Sequence, residues 1–224
     1  MKLSVLMPVY NEEKTIEEII QRVLAQPMVH ELIVVDDGSQ DGTREVLRAL
    51  NDERVKVFFK ARNEGKGAAL KEAAQQATGD VSIIQDADLE YDPQEYSAML
   101  DLLVSGKADV VYGSRFLYRT RIYNFYHLLG NKVINLLVNM LFNTTFTDME
   151  TCYKAFRTDY IKDMTFQSKS FGFEVEFTAH MVKKKLRIYE VPISYYGRTY
   201  EEGKKITWRD GLKALYWIIY CRFF

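Results

Sequence analysis

Apolar runs alternate with amphipathic segments through the first half of the chain. The runs at 3–9, 32–35, 55–59, 81–85 and 110–112 are largely apolar, as in strands that a parallel sheet buries on both faces. Between the first two runs, apolar side chains recur at helical spacing, at positions 16, 19, 20, 23 and 24. Five strand–helix repeats over residues 1–115 predict an α/β fold with a doubly wound, mostly parallel sheet and right-handed crossovers.

The second half has a less regular pattern. We expect helices over 124–143, 173–184 and 207–224, and a strand over 188–196 that lies at a sheet edge because it contains Pro192. The first of these helices carries an asparagine at every fourth position from 131 to 143 and is apolar over most of its remaining surface. Such a helix is either packed in the core or seated in a membrane interface, and core packing is the more common case.

The final helix has an apolar face and an aromatic end. Its face combines Trp208, Leu212, Leu215, Tyr216 and Ile219, and the chain ends in Arg222, Phe223 and Phe224. Aromatic side chains beside an arginine are typical of a bilayer surface. They are also typical of a homodimer contact, and plain core packing is the third interpretation.

Composition narrows the class of protein. The 224 residues fit one large domain or two small ones, and 47% hydrophobic residues with only 4 Pro and 12 Gly indicate an ample core rather than long disordered linkers. A net charge of −1 gives no basic field that would attract nucleic acid. The two cysteines lack the spacing of metal ligands, so we expect free thiols and a cytoplasmic protein. Because no uncharged apolar run reaches 18 residues, no transmembrane helix is expected.

Polar loops follow the predicted strands. They occupy 10–12, 36–39, 62–66, 86–90 and 113–115, and they should meet at one edge, because ligands of such sheets bind at the carboxyl ends of the strands. Asp86, Asp88 and Glu90 stand at alternate positions at the end of the fourth strand, where alternate side chains point to one side. Three carboxylates so close together favour a cation, and hard oxygen ligands suit Mg²⁺ or Mn²⁺. A solvated acidic turn is the alternative interpretation.

Several motifs carry a family resemblance. The segments PVYNEE at 8–13, VVDDGS at 34–39 and DAD at 86–88 resemble those of family 2 glycosyltransferases in order and in spacing. In the second half, GSRF at 113–116, TDMETCYKAF at 147–156 and YYGRT at 195–199 are similar to the dolichol-phosphate mannose synthase branch. The resemblance implies one GT-A domain over 1–224, with a nucleotide-sugar-binding half at 1–115 and an irregular α+β acceptor half at 116–224. It also implies inverting transfer of a sugar from a nucleotide diphosphate donor to a polyprenyl phosphate.

The same resemblance assigns residues to the donor. The nucleotide-sugar contacts that it implies are Pro8, Val9, Tyr10, Glu12, Val35, Asp37, Lys66, Asp86, Ala87, Asp88, Arg198 and Lys204. Tyr10 and Asp37 would contact the base and the ribose, although Asp37 can equally serve as a turn residue before Gly38. Arg198 and Lys204, on a glycine-flanked loop, would close over the diphosphate, unless that loop is simply solvated.

Two of these assignments have further alternatives. Lys66 is near enough in sequence to a loop at the ligand edge to touch phosphate, but a surface lysine is the simpler interpretation. The metal ligands would be Asp86, Asp88 and Glu90, with Asp88 the most direct, because Asp86 can instead reach hydroxyl groups of ribose or sugar. Glu90 departs from the family, since many mannose synthases have glutamine there.

The acceptor side is assigned to Arg115, Asn131 and Lys132. A phosphate monoester has a second pKa of about 6, so it is already anionic near neutral pH and needs positioning more than a strong base. Asp148 joins Arg115 and Asp88 as a catalytic candidate, either as a general base or as an orienting residue, and a helix N-cap is its alternative. Glu174 and Glu176 are weaker candidates for the base.

The sequence therefore predicts a metal-assisted, inverting hexosyltransferase. The expected donor is GDP-mannose or UDP-glucose, and the expected acceptor is dolichyl or undecaprenyl phosphate. The alternative is a family 2 enzyme with a soluble or glycan acceptor. A nucleotidyltransferase is disfavoured because an acidic segment follows the first strand instead of a glycine-rich basic one. A non-catalytic sugar-nucleotide-binding module is disfavoured by the metal carboxylates. Peripheral contact with the cytoplasmic membrane face, through helix 124–143 and the aromatic terminus, is a hypothesis, as is a homodimer.

Overall fold

Strands from both halves of the chain form one sheet in the structure, a computed structural model that describes residues 1–117, 125–162, 164, 166–168, 172–199, 201 and 208–224. The strands are β1 (Leu3–Val9), β2 (Val29–Asp36), β3 (Val55–Phe59), β4 (Val81–Ile84), β5 (Val110–Ser114), β6 (Lys154–Arg157) and β7 (Ile188–Pro192). Their order across the sheet is β3-β2-β1-β4-β6-β5-β7.

The sheet is mostly parallel, with one antiparallel strand. β3, β2, β1 and β4 pair in parallel, and so do β5 and β7, whereas β6 is antiparallel to both β4 and β5. The predicted α/β class with a mostly parallel sheet is therefore confirmed. β6 itself was not predicted, and it separates β4 from β5. β7 lies at the edge as predicted, although it ends at Pro192 rather than at residue 196.

Helices connect the strands and cover the sheet. Within the described residues they are α1 (Ile16–Leu24), α2 (Thr43–Ala49), α3 (Lys66–Gln76), α4 (Tyr96–Val104), α5 (Phe125–Phe142), α6 (Thr158–Lys162), α7 (Phe173–Lys183) and α8 (Trp208–Phe223), with a 3₁₀ turn at Pro93–Glu95. α1 shows why these segments fold as they do. Ile16, Ile19, Ile20 and Val23 form its buried stripe, while the acidic and basic residues between them face solvent.

The parallel register brings the strand ends together. Val9 pairs with Asp36 and Leu6 with Ile84, so the loops after β1, β2 and β4 leave the sheet side by side. Hydrogen bonds join the first two loops: the Asn11 amide donates to Ser39 Oγ at 2.9 Å. The predicted convergence of polar loops at the carboxyl edge is thus confirmed.

The polar stripe of α5 faces the protein, not the solvent. Asn135 is buried, and its Oδ1 accepts a hydrogen bond from the Met149 amide at 2.8 Å. Asn139 donates to the Phe146 carbonyl and accepts from the Phe146 amide, both at 2.8 Å. These asparagines satisfy the irregular backbone at 144–149, which has no strand or helix to do so.

Much of the apolar surface of α5 is consequently exposed. Leu136 is 58% exposed and Met140 is 69% exposed. The remaining exposed apolar residues of this helix are Phe125, Tyr126, Leu128, Leu129 and Val133. The expectation that the apolar surface of α5 packs in the core is wrong for these residues, because Asn135 and Asn139 occupy part of the inward face. Val138 is buried, and Ile134, Leu141 and Phe142 pack against the core as expected.

α8 packs against α5 and α7 and also shows apolar residues to solvent. Ala214, Ile218 and Cys221 face inward. Most of the predicted apolar face is on the other side: Leu212, Tyr216 and Ile219 are exposed, and Phe223 and Phe224 are too. Leu215, from the same predicted face, is partly buried against the core. The side chain of Trp208 lies outside the described residues. Among the helices that the structure describes, none combines the length and apolarity needed to span a bilayer.

A buried carboxylate away from the ligand edge gives a prediction about stability. Glu31 accepts from Ser4 Oγ at 2.6 Å and from the Thr78 amide at 2.6 Å, and it pairs with Lys56 Nζ at 2.6 Å. Burial opposes its charge, but these partners lower the pKa of Glu31 to about 2, from 4.5. Because the pKa is lower in the folded state, the stabilisation is complete above pH 4.5 and is lost as pH falls towards 2.

We therefore expect Glu31→Gln to lower the free energy of unfolding at pH 7 by up to about 3 kcal/mol. Denaturant titrations of variant and wild type at pH 7 and at pH 3 test this. The difference should shrink at pH 3, and the exposed Glu53→Gln should change neither value. A difference independent of pH would contradict the assignment of this stability to the Glu31 charge.

Candidate active site

Buried aromatic side chains fix the backbone at the end of β4. Gln85, the first residue after the strand, accepts hydrogen bonds from Tyr96 Oη at 2.6 Å and Tyr153 Oη at 2.7 Å. Its Nε2 donates to the Asp86 carbonyl at 2.9 Å. This satisfied, buried network holds the start of the acidic loop. Sequence reasoning overlooked Gln85, and its signal was slight: a polar residue that closes an apolar run.

The acidic triplet lies on a loop rather than on the strand. β4 ends at Ile84, and Leu89 has a φ of 63°, a left-handed conformation uncommon for a residue other than glycine. The expectation that strand alternation aligns the carboxylates is therefore wrong, and the loop sets their directions. Burial, and then the carboxylates of Asp86 and Glu90, raise the pKa of Asp88 to about 8. Since a cation would lower that pKa again, this set of oxygen donors fits a hard divalent metal ion.

Arg198 faces the acidic loop from the second half of the chain. Its Nη1 and Nη2 donate to the two carboxylate oxygens of Glu12 at 3.1 and 3.2 Å. Nη2 also donates to Asp88 Oδ2 at 3.2 Å, and Nε lies 3.6 Å from Glu90 Oε1. One guanidinium thus lies among three carboxylates. The structure brings together Glu12, Asp88 and Arg198 as the sequence predicted, while Lys204 lies outside the described residues.

Glu90 links the acidic loop to the segment that carries Arg198. Its carboxylate accepts a hydrogen bond from Tyr195 Oη and another from the Arg198 amide at 2.7 Å. The Tyr196 amide donates to its carbonyl at 2.9 Å. In the part of the chain that the structure describes, no three His, Cys, Asp or Glu side chains converge as a ready metal site. Glu90 would have to exchange protein donors for a metal ion.

The residues predicted to line the nucleotide pocket differ in how exposed they are. Val9, Val35 and Ala87 are at most 3% exposed, so they lie behind the accessible surface of the pocket. Pro8 and Tyr10 are partly exposed at the same edge. The pocket that the resemblance implies is therefore built by two accessible side chains over a wall of buried aliphatic ones.

Asp37 holds the loop that leads into α3. Its carboxylate accepts from the amides of Glu64 at 3.0 Å and Gly65 at 2.6 Å, and Lys60 Nζ lies 3.4 Å away. The following residue, Gly38, has a φ of 77°, and a Cβ there would lie 2.5 Å from the Arg62 backbone. The structure thus shows Asp37 bonded to a neighbouring loop, beyond the simple turn role given as its alternative.

Lys66 is not the solvated surface lysine that seemed the simpler interpretation. Its Nζ lies 2.8 Å from Asp86 Oδ1 and 3.3 Å from Glu174 Oε1, and its side chain is 21% exposed. Burial works against its charge, but the neighbouring Asp86 carboxylate raises the pKa of Lys66 well above its usual value. The surface interpretation fails because Glu174, at the start of α7, lies far away in sequence.

Arg115 and Asp148 form a two-pronged ion pair. Arg115 Nε donates to Asp148 Oδ2 at 2.7 Å and Nη2 donates to Oδ1 at 2.8 Å. The Arg115 amide adds a third bond to Oδ2 at 2.9 Å. Asp148 is fully buried, and its own amide donates to Glu190 Oε1 at 3.0 Å. A forked pair of this kind fixes the plane of the guanidinium.

Asp148 is not a helix N-cap. The next regular element is the strand β6, so the alternative given for this residue is wrong. The side chain faces back to the end of β5 instead of forward along the chain. Its carboxylate is used to orient Arg115, which agrees with the orienting role among the predicted ones.

Of the other predicted acceptor residues, Lys132 lies near Arg115, because both side chains lie against the same aromatic ring. Lys132 Nζ lies 4.4 Å from the centroid of the Phe116 ring, and Arg115 Cζ lies 5.8 Å from the same centroid. Arg115 also lies 5.0 Å from the centroid of the Tyr195 ring. Asn131 donates to the His127 carbonyl within α5 at 2.9 Å, so its amide is bonded inside the helix. The structure thus groups Arg115 with Lys132 and gives Asn131 a different partner.

Comparison with known sequences identifies the family. The model for "Glycosyl transferase family 2" matches residues 4–165. Glycosyltransferase AglJ of Haloferax volcanii is 32% identical over 88% of this chain and 63% of its own length. The dolichol-phosphate mannosyltransferase of Pyrococcus furiosus is 28% identical, over 91% of this chain and 59% of its own. The polyprenol monophosphomannose synthase of Mycolicibacterium smegmatis is 30% identical, over 85% of this chain and 76% of its own.

Solved structures show the same fold. Glucosyl-3-phosphoglycerate synthase of Mycobacterium tuberculosis, in complex with Mn²⁺, uridine diphosphate and phosphoglyceric acid, superposes with a TM-score of 0.77 at 20% identity. The match covers 99% of this chain and 78% of that one. The same enzyme with Mg²⁺ and uridine diphosphate gives a TM-score of 0.76 at 19% identity. At such identities the likeness establishes the GT-A architecture alone.

The sequence and fold comparisons agree with each other. The chain spans 63% and 59% of the length of the first two curated relatives, so it corresponds to part of them. The relatives named for dolichol phosphate and polyprenol lie in the branch that the second-half motifs indicated. With the family model matching 4–165 and the GT-A architecture present, the chain belongs to glycosyl transferase family 2, as its motifs predicted.

Proposed function

We propose that this chain is an inverting glycosyltransferase that moves a hexose from a nucleotide diphosphate sugar to a polyprenyl phosphate. One observation carries the proposal: the carboxyl edge of the sheet gathers an acidic loop, a facing arginine and a separate, pre-oriented arginine. Asp88 lies 3.2 Å from Arg198, and Arg115 is held by Asp148. Two cationic positions beside one set of carboxylates suited to a metal ion fit a reaction in which a sugar leaves a donor diphosphate and is bonded to an acceptor phosphate.

The donor would lie against Pro8 and Tyr10 with its diphosphate towards Asp88. Asp86, Asp88 and Glu90 would hold Mg²⁺ or Mn²⁺, which would neutralise the diphosphate and stabilise it as a leaving group. Arg198 can exchange its carboxylate partners for phosphate oxygens, since a guanidinium binds both with the same forked geometry. The curated relatives named for mannose favour GDP-mannose, and the solved neighbour with UDP keeps UDP-glucose open.

The acceptor phosphate would be bound by Arg115 with Lys132 beside it. Asp148 already orients Arg115 through two side-chain hydrogen bonds, so its carboxylate is not free to take a proton. A phosphate monoester with a second pKa of about 6 needs no such base. We therefore assign Asp148 to positioning and the nucleophile to the acceptor phosphate itself.

The decisive experiment is a matrix of donors and acceptors. Purified protein with Mg²⁺ or Mn²⁺ receives GDP-mannose or UDP-glucose, and the acceptors are a polyprenyl phosphate, the corresponding polyprenol and a soluble phosphate monoester. We expect transfer to the polyprenyl phosphate, none to the polyprenol and loss of transfer on chelation. Transfer to the soluble acceptor at an equal or higher rate would favour the alternative, a family 2 enzyme for soluble or glycan acceptors.

The exposed apolar residues of α5 and α8 support a peripheral membrane contact near the acceptor site. Lys132, on α5, and Arg115 both lie near the Phe116 ring. A membrane that contacts this helix would therefore bring a lipid phosphate close to the acceptor residues. Apolar side chains at an interface gain free energy by leaving water, about 25 cal/mol per Å² buried.

We expect the double variant Leu136→Glu/Met140→Glu to lose binding to anionic liposomes in a sedimentation assay. Transfer to a long polyprenyl phosphate in liposomes should fall at least about 10-fold, because two apolar anchors become charged. Transfer to a short, water-soluble prenyl phosphate should stay within about twofold. Equal loss on both acceptors would contradict the membrane role, and a wild-type dimer that the variant breaks would assign the face to a homodimer.

A further inference from the structure

A cluster of charged side chains lies behind the acidic loop, between the proposed donor and acceptor positions. Lys66 links Asp86, at 2.8 Å, to Glu174, at 3.3 Å. Glu174 is only 4% exposed. On the other side, Glu150 stands two residues after Asp148 on the segment that enters β6. Asp86 and Lys66 belong to the proposed donor site, whereas Glu150 and Glu174 have no role in the diphosphate contacts or the acceptor pair described above.

Several oxygens in this cluster are buried without a hydrogen-bond partner. They are Glu150 Oε1, Glu174 Oε2 and Thr151 Oγ1, each inaccessible to solvent within the described structure. Nearby, Lys154 is fully buried, donates to the Thr151 carbonyl and lies 5.1 Å from the centroid of the Tyr112 ring. A buried polar group without a partner is destabilising, so three together call for an explanation.

Glu150 is the least buried of the residues that carry these oxygens. Its residue is partly exposed, although Oε1 is shielded from solvent and has no hydrogen-bond partner in the described structure. Burial, and then the neighbouring Glu174 carboxylate, raise the pKa of Glu150 to about 7. Its surroundings also include the charges of Lys154, Arg115 and Asp148. The unpaired oxygens of Glu150 and Glu174 are hydrogen-bond acceptors that a ligand with hydroxyl groups could satisfy.

We propose that Glu150 and Glu174 bind hydroxyl groups of the sugar that is transferred, and so determine which donor sugar the site accepts. The inference rests on the proposed function, because it places the sugar beside Asp86 and Lys66. Hydroxyl groups donate to carboxylate oxygens, and vicinal hydroxyls can satisfy two of them at once. The class of sugar is a neutral hexose: a hexuronate would bring a further negative charge against Glu150, Glu174 and Asp86.

The test measures donor binding without turnover. Calorimetric titrations with Mn²⁺ present compare UDP-glucose with UDP, and GDP-mannose with GDP, for wild type, Glu150→Ala and Glu150→Gln. The exposed Glu53→Ala is the matched control. We expect Glu150→Ala to weaken sugar-nucleotide binding about 10- to 100-fold, while nucleoside diphosphate binding stays unchanged. Glu150→Gln keeps an acceptor oxygen and should lose less.

A deoxy series then identifies the hydroxyl. Removing the recognised hydroxyl from the donor should weaken binding to wild type but not to Glu150→Ala, since the two losses concern one hydrogen bond. UDP-glucuronate should bind wild type no more tightly than UDP.

The possible outcomes of these titrations distinguish failure of the sugar-binding inference from failure of the proposed function. An unchanged ratio of sugar-nucleotide to nucleoside diphosphate affinity in Glu150→Ala would overturn the inference and leave the proposed function standing. So would tight binding of UDP-glucuronate. A wild type that binds neither UDP nor GDP would overturn the proposed function and this inference with it. If Glu150→Ala fails to fold, Glu150→Met decides on the same ratio, because it keeps the volume of the side chain but has no oxygen to accept a hydrogen bond.

Discussion

Replacing Asp88 by alanine is expected to reduce sugar transfer by at least about 1,000-fold, because several kcal/mol of charge stabilisation on the leaving diphosphate would be lost. Of the three carboxylates on the acidic loop, Asp88 is the middle one in sequence, between Asp86 and Glu90. It is also the one that Arg198 contacts at 3.2 Å. Steady-state transfer with saturating donor and acceptor measures the effect, and donor titration separates weaker binding from slower transfer.

The fold of this variant should be as stable as that of wild type. Burial and the carboxylates of Asp86 and Glu90 raise the pKa of Asp88 to about 8, so its charge opposes folding at neutral pH. Removing it should leave the melting temperature unchanged or slightly higher. Asp80→Ala, at the other end of the same strand and exposed, is the matched control and should retain full transfer. Near-wild-type transfer by Asp88→Ala would show that the metal assignment is wrong.

The strands could be predicted where burial on both faces makes the sequence uniformly apolar. β1 lies at its predicted bounds for that reason, and the carboxyl-edge convergence follows from its parallel pairing with β2 and β4. β3 also lies at its predicted bounds, although it is an edge strand with Lys56 and Phe59 exposed. β6 could not be found in this way. It has four residues with a charge at each end, Lys154 and Arg157, and its partners β4 and β5 come from elsewhere in the chain. Because β6 is defined by antiparallel pairing with strands that are distant in sequence, its own four residues show no periodic pattern of apolar side chains.

The motifs predicted which residues gather at the site but not how they pair. Arg198 meets Glu12 across 186 residues, and Lys66 meets Glu174, contacts that no spacing rule anticipates. The helix α5 was predicted, but the side that it buries was predicted wrongly, for a different reason. Polarity was taken as a guide to exposure, whereas Asn135 and Asn139 face inward because the backbone at 144–149 needs hydrogen-bond partners.

Replacing Arg115 by alanine is expected to have a large effect on stability. Asp148 is fully buried, and Arg115 supplies its cation and two of its hydrogen-bond donors. Without the arginine, a buried charge is left unpaired, at a cost of about 3–5 kcal/mol. For a chain of this length the melting temperature should fall by roughly 6–20 °C. Arg115→Lys keeps the charge but loses the fork, and it should recover about half of the loss.

The lysine variant separates stability from function. If Arg115 binds the acceptor phosphate, Arg115→Lys at a temperature where it is folded should raise the acceptor KM about 10- to 100-fold, since one ammonium replaces two aligned donors. The donor KM should stay within about twofold, because Arg198 and Asp88 bind that substrate. A double variant, Arg115→Met with Asp148→Asn, removes both charges and should regain stability while remaining inactive. Restored transfer in the double variant, or a rise in donor KM alone, would place the acceptor phosphate elsewhere.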